Sequence, residues 1–434
     1  MIGKELKFLV DRLLRYNPYF YKKLKSVQEM EEWDEKRSFE YQNKKFLQLL
    51  REAYHHSPFY KNYYNEYGID ISSIKSIDDV HLLPLLKKEH LRDHYRNIFI
   101  GSRLNQISSY TSGTSGNPTL VYRDYQSILE EAAYLWAHRI SYGHFPGMKT
   151  LILRGNLKSN RFKFYNRYTN TLELSSYKMS EENANAYIDA IRKFKPNAVF
   201  AYPSAIDTLA NLFGSKHTSF RIPLVFTSSE SLYTHQRNKV VDTFGCQLVD
   251  WYGNAERTIA IRQRKDDLYE DLPTYSVNRY FKDNVVTTSL INHSFPLINY
   301  VVNDVIHLEG SRTASGKTIV KKIQGRDDDL LLLPDGTRLG MIWGAVDRIP
   351  NLLYAQFVQD DLYSFTINIV GTHSFSWSDE RLLEEKVKSY VGENAEFTIN
   401  RVNKQDIVLS KAGKYKLVIN NYLKKSQHQD LIPA

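Results

Sequence analysis

The chain has a single cysteine, Cys246, in 434 residues. A lone thiol excludes an intrachain disulfide framework and any zinc or iron–sulfur site built from several thiolates, and it fits a reducing compartment, the cytoplasm. Long apolar runs are missing as well. No stretch approaches the roughly 18 apolar residues needed to cross a bilayer. The opening MIGKELKFLVDRLLRY is broken by Lys4, Glu5, Lys7, Asp11 and Arg12, so it lacks the unbroken core of a signal peptide. Leu6, Leu9, Val10, Leu13 and Leu14 fall instead at helical spacing. They give an amphipathic helix that either docks on the protein's own body or lies peripherally on a membrane surface. Nor is there a concentration of charge: 58 basic and 49 acidic residues leave a scattered +9. That balance favours anionic ligands mildly and makes no case for nucleic acid.

What is present is enough for a packed core. Hydrophobic residues make up 42% and aromatic residues 13%, which excludes wholesale disorder. The length suits two or three domains, or one large α/β domain with an appendage. The first hundred residues read as mostly helical. From QISSY onward strands and helices alternate: TLVYR, a helix capped by Asp124, KTLILRG, a helix over 181–194, NAVFAY, a helix from Ala205 capped by Ser204, LVFTSS, a helix over 235–244, then QLVDWYG. Such alternation predicts an α/β fold with a substantially parallel sheet. Beyond about residue 270 the strands turn short and hairpin-like. The last hundred residues read as a separate small α+β domain, with LYSFTINIV, a helix over 379–391, EFTINRV and YKLVI as its core.

The most informative segment is Tyr110-Thr-Ser-Gly-Thr-Ser-Gly-Asn-Pro-Thr119. Its small residues let backbone N–H groups converge as a phosphate-cradling loop requires, and the hydroxyls add donors; by itself such a run is also an ordinary surface loop. It is no Walker A loop, since no Gly-Lys-Ser/Thr ends it. Gly310–Thr318 nearly spells one, but five residues separate Gly310 from Gly316 where the motif has four. The β-branched TIVKKI that follows favours a hairpin turn.

Order and spacing raise the first loop above its isolated value. Thr111–Thr119 resembles the phosphate loop of the adenylate-forming superfamily of acyl-CoA synthetases, adenylation domains and luciferases. Ser228-Ser229-Glu230 resembles its adenine-side segment, and Trp251-Tyr252-Gly253-Asn254-Ala255-Glu256 its aromatic-Gly-x-Thr-Glu motif. Pro296–Asp304 resembles the segment ending in the ribose-binding Asp, Gly325-Arg326-Asp327-Asp328-Asp329 the hinge, and Ala412-Gly413-Lys414 the C-terminal Gly-Lys motif. Ser57–Lys61, Leu83–Lys87, Ala201–Ser204 and Thr119 point within the superfamily to the phenylacetate–CoA ligase-like branch, including the CapK-type proteins of capsule-polysaccharide loci.

The resemblance implies a large AMP-binding domain over 1–326, with parallel and mixed sheets, and a small mobile α+β domain over 327–434. It implies an ATP-dependent ligase that activates a carboxylic acid, such as a sugar acid or amino acid, as acyl-adenylate. The acyl group then passes to coenzyme A or an amine, in cell-surface polysaccharide biosynthesis. Thr111, Ser112, Gly113, Thr114, Ser115 and Gly116 would hold the β- and γ-phosphates. Ser229, Glu230, Trp251, Tyr252 and Gly253 would border the nucleotide, with Tyr252 against adenine. Asp304 would accept the ribose hydroxyls and Arg326 would reach ribose or phosphate. Glu256 would ligate Mg²⁺, Lys414 would bring its charge to the reacting groups, and Asp328 would be the hinge. Ala255 stands where the family has Thr, and Val301 and Asn303 depart from its Tyr-Arg-x-Gly-Asp pattern. These departures leave a second reading open, a nucleotide-binding protein of the same fold with little or no turnover.

Overall fold

The computed structural model describes residues 12–102, 104, 106–110, 119–154, 157, 161–176, 178–215, 220–282, 284–326, 331–334, 338–339, 342–346, 349–392, 395–409 and 415–422. The chain divides into two units, each treated by itself. One comprises Met1–Met148, Asn166–Thr169 and Asp250–Gln324; the other comprises Lys149–Tyr165, Asn170–Val249 and Gly325–Ala434.

In the first unit, helices Pro18–Met30, Glu35–His56 and Pro58–Glu66 start where the sequence supplies caps. Asn17, Asp34 and Ser57 accept from the amides of Phe20, Arg37 and Tyr60. Pro18 and Pro58 sit in the first turn, where a missing N–H costs nothing. Phe46, Leu49, Leu50 and Ala53 recur on one face of the second helix, and they bury against Tyr60, Tyr64, Phe295 and Leu297. Tyr60 also clamps the approach to Asp304: its hydroxyl donates to the Pro296 carbonyl at 2.9 Å and accepts from the Ile298 amide at 3.1 Å. Leu86 and Asn299–Val301 exchange backbone hydrogen bonds, Leu86 N to Asn299 O at 3.0 Å and Val301 N to Leu86 O at 2.9 Å. Three separated stretches of the sequence are thereby knitted together.

Strands Ile107–Tyr110 and Leu120–Arg123 pair antiparallel, with Tyr110 opposite Leu120. Helix Tyr125–Ser141 follows, capped by Asp124 as expected, whose Oδ1 accepts from the Ser127 amide at 2.7 Å. Ser276–Tyr280, Val285–Ser289 and Tyr300–Val302 form an antiparallel sheet. The near-P-loop at Gly310–Thr318 is a turn between strands Asp304–Arg312 and Thr318–Arg326, closed by Thr313 N to Lys317 O and Gly316 N to Thr313 O, both at 2.9 Å. Its Lys317 is buried, with Nζ 2.7 Å from Glu31 Oε2.

In the second unit, Thr150–Arg154 lies parallel to both Thr171–Ser175 and Ala198–Ala201, and Ala198–Ala201 lies parallel to Leu224–Ser228. Helices Ala184–Phe194, Pro203–Ser215 and Thr234–Phe244 complete the alternating pattern. Leu151, Leu174, Ile206, Leu209, Phe213 and Val225 fill the core between strands and helices. One expectation is corrected here. Ser204 does not cap a helix starting at Ala205, because the helix begins at Pro203. Proline's fixed φ favours the first turn, and the Ser204 amide is capped instead by a distant carboxylate, Glu230 Oε2 at 3.0 Å.

The same unit holds a four-stranded sheet ordered Glu396–Arg401, Ser364–Gly371, Leu352–Gln359, Val418–Asn420. Helix Trp377–Val391, capped by Ser376, packs on it through Leu383 and Val387 against Phe357 and Ile367. This is the α+β pattern expected of the last hundred residues.

Candidate functional site

In the first unit the site is built at the end of strand Gln247–Gly253 and the turn after it. Trp251 turns inward, its ring 5.5 Å from that of His138. Gly253 packs closely: a Cβ would lie 3.3 Å from Trp251 Nε1 and 3.4 Å from the Ile259 carbonyl oxygen, a tight fit. Tyr252 donates its hydroxyl to Asp304 Oδ2 at 2.6 Å, a short bond of the charge-assisted kind. Thus the residues matched to the adenine and ribose roles touch each other.

The turn over 254–258 is closed by Asn254, whose Oδ1 accepts from the Thr258 amide at 2.9 Å while Nδ2 donates to Thr258 Oγ1 at 2.7 Å. Arg257 adopts φ of +61° within it, a conformation that costs of order 1–3 kcal/mol in a non-glycine residue and clusters at functional sites. Glu256 is buried and accepts from the Tyr300 hydroxyl at 3.2 Å. Arg123, closing the strand after the Ser/Thr/Gly loop, donates Nη2 to the Ala255 carbonyl at 2.8 Å. Burial lowers the Arg123 pKa, and Tyr275 and Glu256 counter it.

In the second unit, strand Leu224–Ser228 runs into Ser229, held at φ of +73°, and then Glu230. Glu230 accepts from the Ser204 amide through Oε2 at 3.0 Å and from the Tyr415 amide through Oε1 at 3.2 Å.

Of the expected site residues, Trp251, Tyr252, Gly253, Glu256 and Asp304 are therefore gathered in one unit, and Ser229 and Glu230 stand together in the other. Thr111, Ser112, Gly113, Thr114, Ser115, Gly116, Asp328 and Lys414 lie outside the described residues. So does the side chain of Arg326, whose backbone ends strand Thr318–Arg326. Arg123, Tyr300 and Tyr415 are partners that the sequence reading did not single out. Tyr300 and Tyr415 sit inside or beside matched motifs; Arg123 had only its place four residues after Thr119 to signal it.

Among the described residues no group of three or more His, Cys, Asp or Glu could hold a metal ion. Glu256, a buried carboxylate with one oxygen held by Tyr300, does suit Mg²⁺. That ion typically takes one or two protein carboxylates and fills its remaining positions with phosphates and water.

A solved structure similar over 89% of this chain and 90% of its own length, at a TM-score of 0.67 and 16% identity, is 2-hydroxyisobutyryl-CoA ligase in the postadenylation state in complex with R3-HIB-AMP. Phenylacetate-coenzyme A ligase of Thermus thermophilus is 23% identical over 320 residues, 67% of this chain and 71% of that protein. Fumarate–(S)-2,3-diaminopropanoate ligase of Enterobacter agglomerans is 23% identical over 285 residues, 60% of this chain and 68% of that protein. The family described as the CapK C-terminal domain matches residues 336–421. These similarities support a resemblance to the adenylate-forming ligases, in their phenylacetate–CoA ligase-like and CapK branch. The turn over 254–258 carries the segment that resembles the family's aromatic-Gly-x-Thr-Glu motif, with Ala255 where that motif has Thr.

Close to that turn lies a titrating group with a clear consequence for stability. His138 Nε2 donates to the Gln263 carbonyl at 2.9 Å, and burial, with Arg262 nearby, pushes its pKa down to about 3. The folded value lies below the unfolded one, so the contribution to stability is complete above about pH 6.5. It is lost as pH falls from there toward 3. Unfolding free energy measured in urea should drop by about 2 kcal/mol between pH 6.5 and 5 on this account alone. His138→Gln should flatten that limb; an unchanged limb would mean that His138 is not the titrating group.

Proposed function

We propose that the protein activates a carboxylic acid with ATP and passes the acyl group to coenzyme A or to an amine, in the cytoplasm, in cell-surface polysaccharide biosynthesis. The observation that carries the reading is the hydrogen bond between Tyr252 and Asp304 beside the buried Glu256. Residues matched separately to adenine, ribose and metal-binding roles share one small region. The CapK C-terminal match supports the polysaccharide assignment, and the names of the relatives, which pair acids with coenzyme A or with amino acids, support the choice of acceptors.

In the first half-reaction an oxygen of the acid attacks the α-phosphorus, the bond to the β-phosphate breaks, and pyrophosphate leaves. Positioning and charge stabilisation do most of the work in such a step. Residues 1–326 would form the large nucleotide-binding domain. Thr111–Gly116 would hold the β- and γ-phosphates, Ser229 and Tyr252 would border adenine, and Asp304, oriented by Tyr252, would accept ribose hydroxyls. Arg326 would reach ribose or phosphate. Mg²⁺, held by Glu256, would neutralise phosphate charge. Residues 327–434 would form the mobile domain, swinging about Asp328 and bringing Lys414 to the acid and α-phosphate. In the second half-reaction the thiol or amine attacks the acyl carbon, loses its proton, and AMP departs.

The test is a panel of carboxylic acids, sugar acids and amino acids included, read by pyrophosphate release and followed by coenzyme A or amines as acceptors. Release with at least one acid supports the reading; ATP binding with no release from any would favour the alternative, a nucleotide-binding protein without turnover. Ala255 is the observation that favours that alternative, since a hydroxyl aimed at the α-phosphate is missing. Glu256→Gln gives a sharper check, because an amide is a poorer ligand for a hard cation. The Mg²⁺ concentration for half-maximal release should rise about tenfold or more, and an unaltered titration would remove Glu256 from the metal.

A further inference from the structure

Glu230 occupies the adenine-side motif, yet its carboxylate is directed at the protein. Oε2 accepts from the Ser204 amide at 3.0 Å, at the N-terminus of helix Pro203–Ser215, where a negative charge is favoured by the exposed N–H groups and the helix dipole. Oε1 accepts from the Tyr415 amide at 3.2 Å. Tyr415 is the residue after Lys414 in the sequence.

The rest of Tyr415 is pinned as well. Its hydroxyl donates to the Ala355 carbonyl, its ring lies 5.8 Å from that of Tyr354, and its backbone bridges antiparallel to Leu409. Tyr354 in turn accepts from Thr208 Oγ1 at 3.0 Å, on the same helix that Glu230 caps. A second anchor, independent of Glu230, is Lys404: its Nζ donates to the Ser176 and Met179 carbonyls at 3.0 and 2.6 Å.

We propose that Glu230 is a positioning residue of the first half-reaction: its carboxylate, seated on Ser204, holds the Tyr415 amide and so fixes the backbone beside Lys414. The proposal rests on the adenylation reading above. It differs from an adenine contact in what it predicts. A nucleotide contact contributes to ATP affinity, whereas a backbone latch beside a catalytic lysine contributes to the rate of one half-reaction. Lys404 and Tyr354 keep the C-terminal segment in place when the latch is lost, so the effect is confined to the neighbourhood of Tyr415.

The experiment compares wild type with Glu230→Ala and Glu230→Gln, using an acid that wild type accepts. In the alanine variant, kcat for pyrophosphate release should fall about tenfold or more while the ATP dissociation constant stays within about threefold. Transfer from supplied acyl-adenylate to the acceptor should also stay within about threefold. Deuterium exchange at the Tyr415 amide should accelerate about tenfold. Glutamine keeps the volume and one acceptor oxygen but turns an NH₂ toward the other donor, so it should move every readout in the same direction by less. It carries the test if alanine impairs folding.

A rise of about tenfold in the ATP dissociation constant with Tyr415 exchange unchanged would make Glu230 a nucleotide contact and overturn the proposal. An unchanged kcat in both variants would overturn it too. Those results presuppose an active wild type. Wild-type protein that releases no pyrophosphate with any acid of the panel would instead sink the adenylation reading, and this proposal with it.

Discussion

Lys414→Ala should lower carboxylate-dependent pyrophosphate release by about 10²–10³ while leaving the ATP dissociation constant within severalfold. On the proposed reading, a side chain brought by a mobile domain to the attacking carboxylate and the α-phosphate would meet its full complement of negative charge only as the new bond forms. Binding energy realised at that stage appears in kcat, not in the affinity for the nucleotide. Arginine at 414 should restore little, because a planar fork does not replace a compact ammonium at the end of a flexible stem. Single-turnover release measured beside equilibrium ATP binding checks this. Unchanged release would take Lys414 out of the reaction, and a loss confined to ATP binding would make it an anchor for the nucleotide.

The second large effect is on stability. Arg262 donates Nε to Glu270 Oε1 at 2.8 Å and Nη1 to Glu31 Oε1 at 2.8 Å, and its Nη2 contacts both carboxylates. Lys317 Nζ lies 2.7 Å from Glu31 Oε2 and 3.3 Å from Glu270 Oε1. All four side chains are largely buried. Arg262→Ala leaves Glu31 with only the Lys317 ammonium, and Glu270 with that ammonium and Arg264 at 3.4 Å, in a largely buried cluster, and unfolding free energy should fall by about 3–5 kcal/mol. Replacing Arg262, Lys317, Glu31 and Glu270 together by apolar residues of similar volume should cost far less, since the buried ion pairs are then removed with both their partners.

The acid limb identifies the mechanism. Burial alone would raise the Glu31 pKa, but Arg262 and Lys317 outweigh it, and the net shift is downward from 4.5. A carboxylate with a lowered folded value stabilises the protein above its unfolded pKa, and that contribution is lost as pH falls through the folded value. In Arg262→Ala the acid limb should move to higher pH. Equal stability losses in the single and quadruple variants would show that packing, not stranded charge, is responsible.

The alternation of strand and helix was legible because a parallel sheet leaves period and punctuation in the sequence. Asp124 declares its helix start through local chemistry, an acceptor three residues before the amide it caps. The start of helix Pro203–Ser215 was misplaced because its cap comes from Glu230, 26 residues away, and no local pattern reports a partner so remote. The same holds for the site. Tyr252, Glu256 and Asp304 could be proposed from motif order, since each carries its own chemistry. The bonds joining Tyr252 to Asp304, Tyr300 to Glu256 and Arg123 to Ala255 depend on which strands lie side by side, which spacing does not encode. Asn299 is the instructive case. In sequence it precedes Tyr300 in a motif that departs from the family pattern. In the structure it adopts φ of +57°, donates to the Leu83 carbonyl at 2.6 Å and accepts from Arg279 at 2.6 Å, a structural role that motif comparison has no means of revealing.

The bond from Arg123 to the Ala255 carbonyl has a consequence for how ligands communicate. One end of it belongs to the strand that leaves the Ser/Thr/Gly loop, the other to the turn that carries Glu256. An anion that stiffened the strand would tighten the turn, and a cation drawn to the carboxylate would tighten the strand. Because coupling free energy between two sites is reciprocal, neither ligand could gain affinity from the other without returning it in full. Metal and triphosphate would then arrive as a cooperative pair, with the guanidinium of Arg123 as the physical link through which each senses the other.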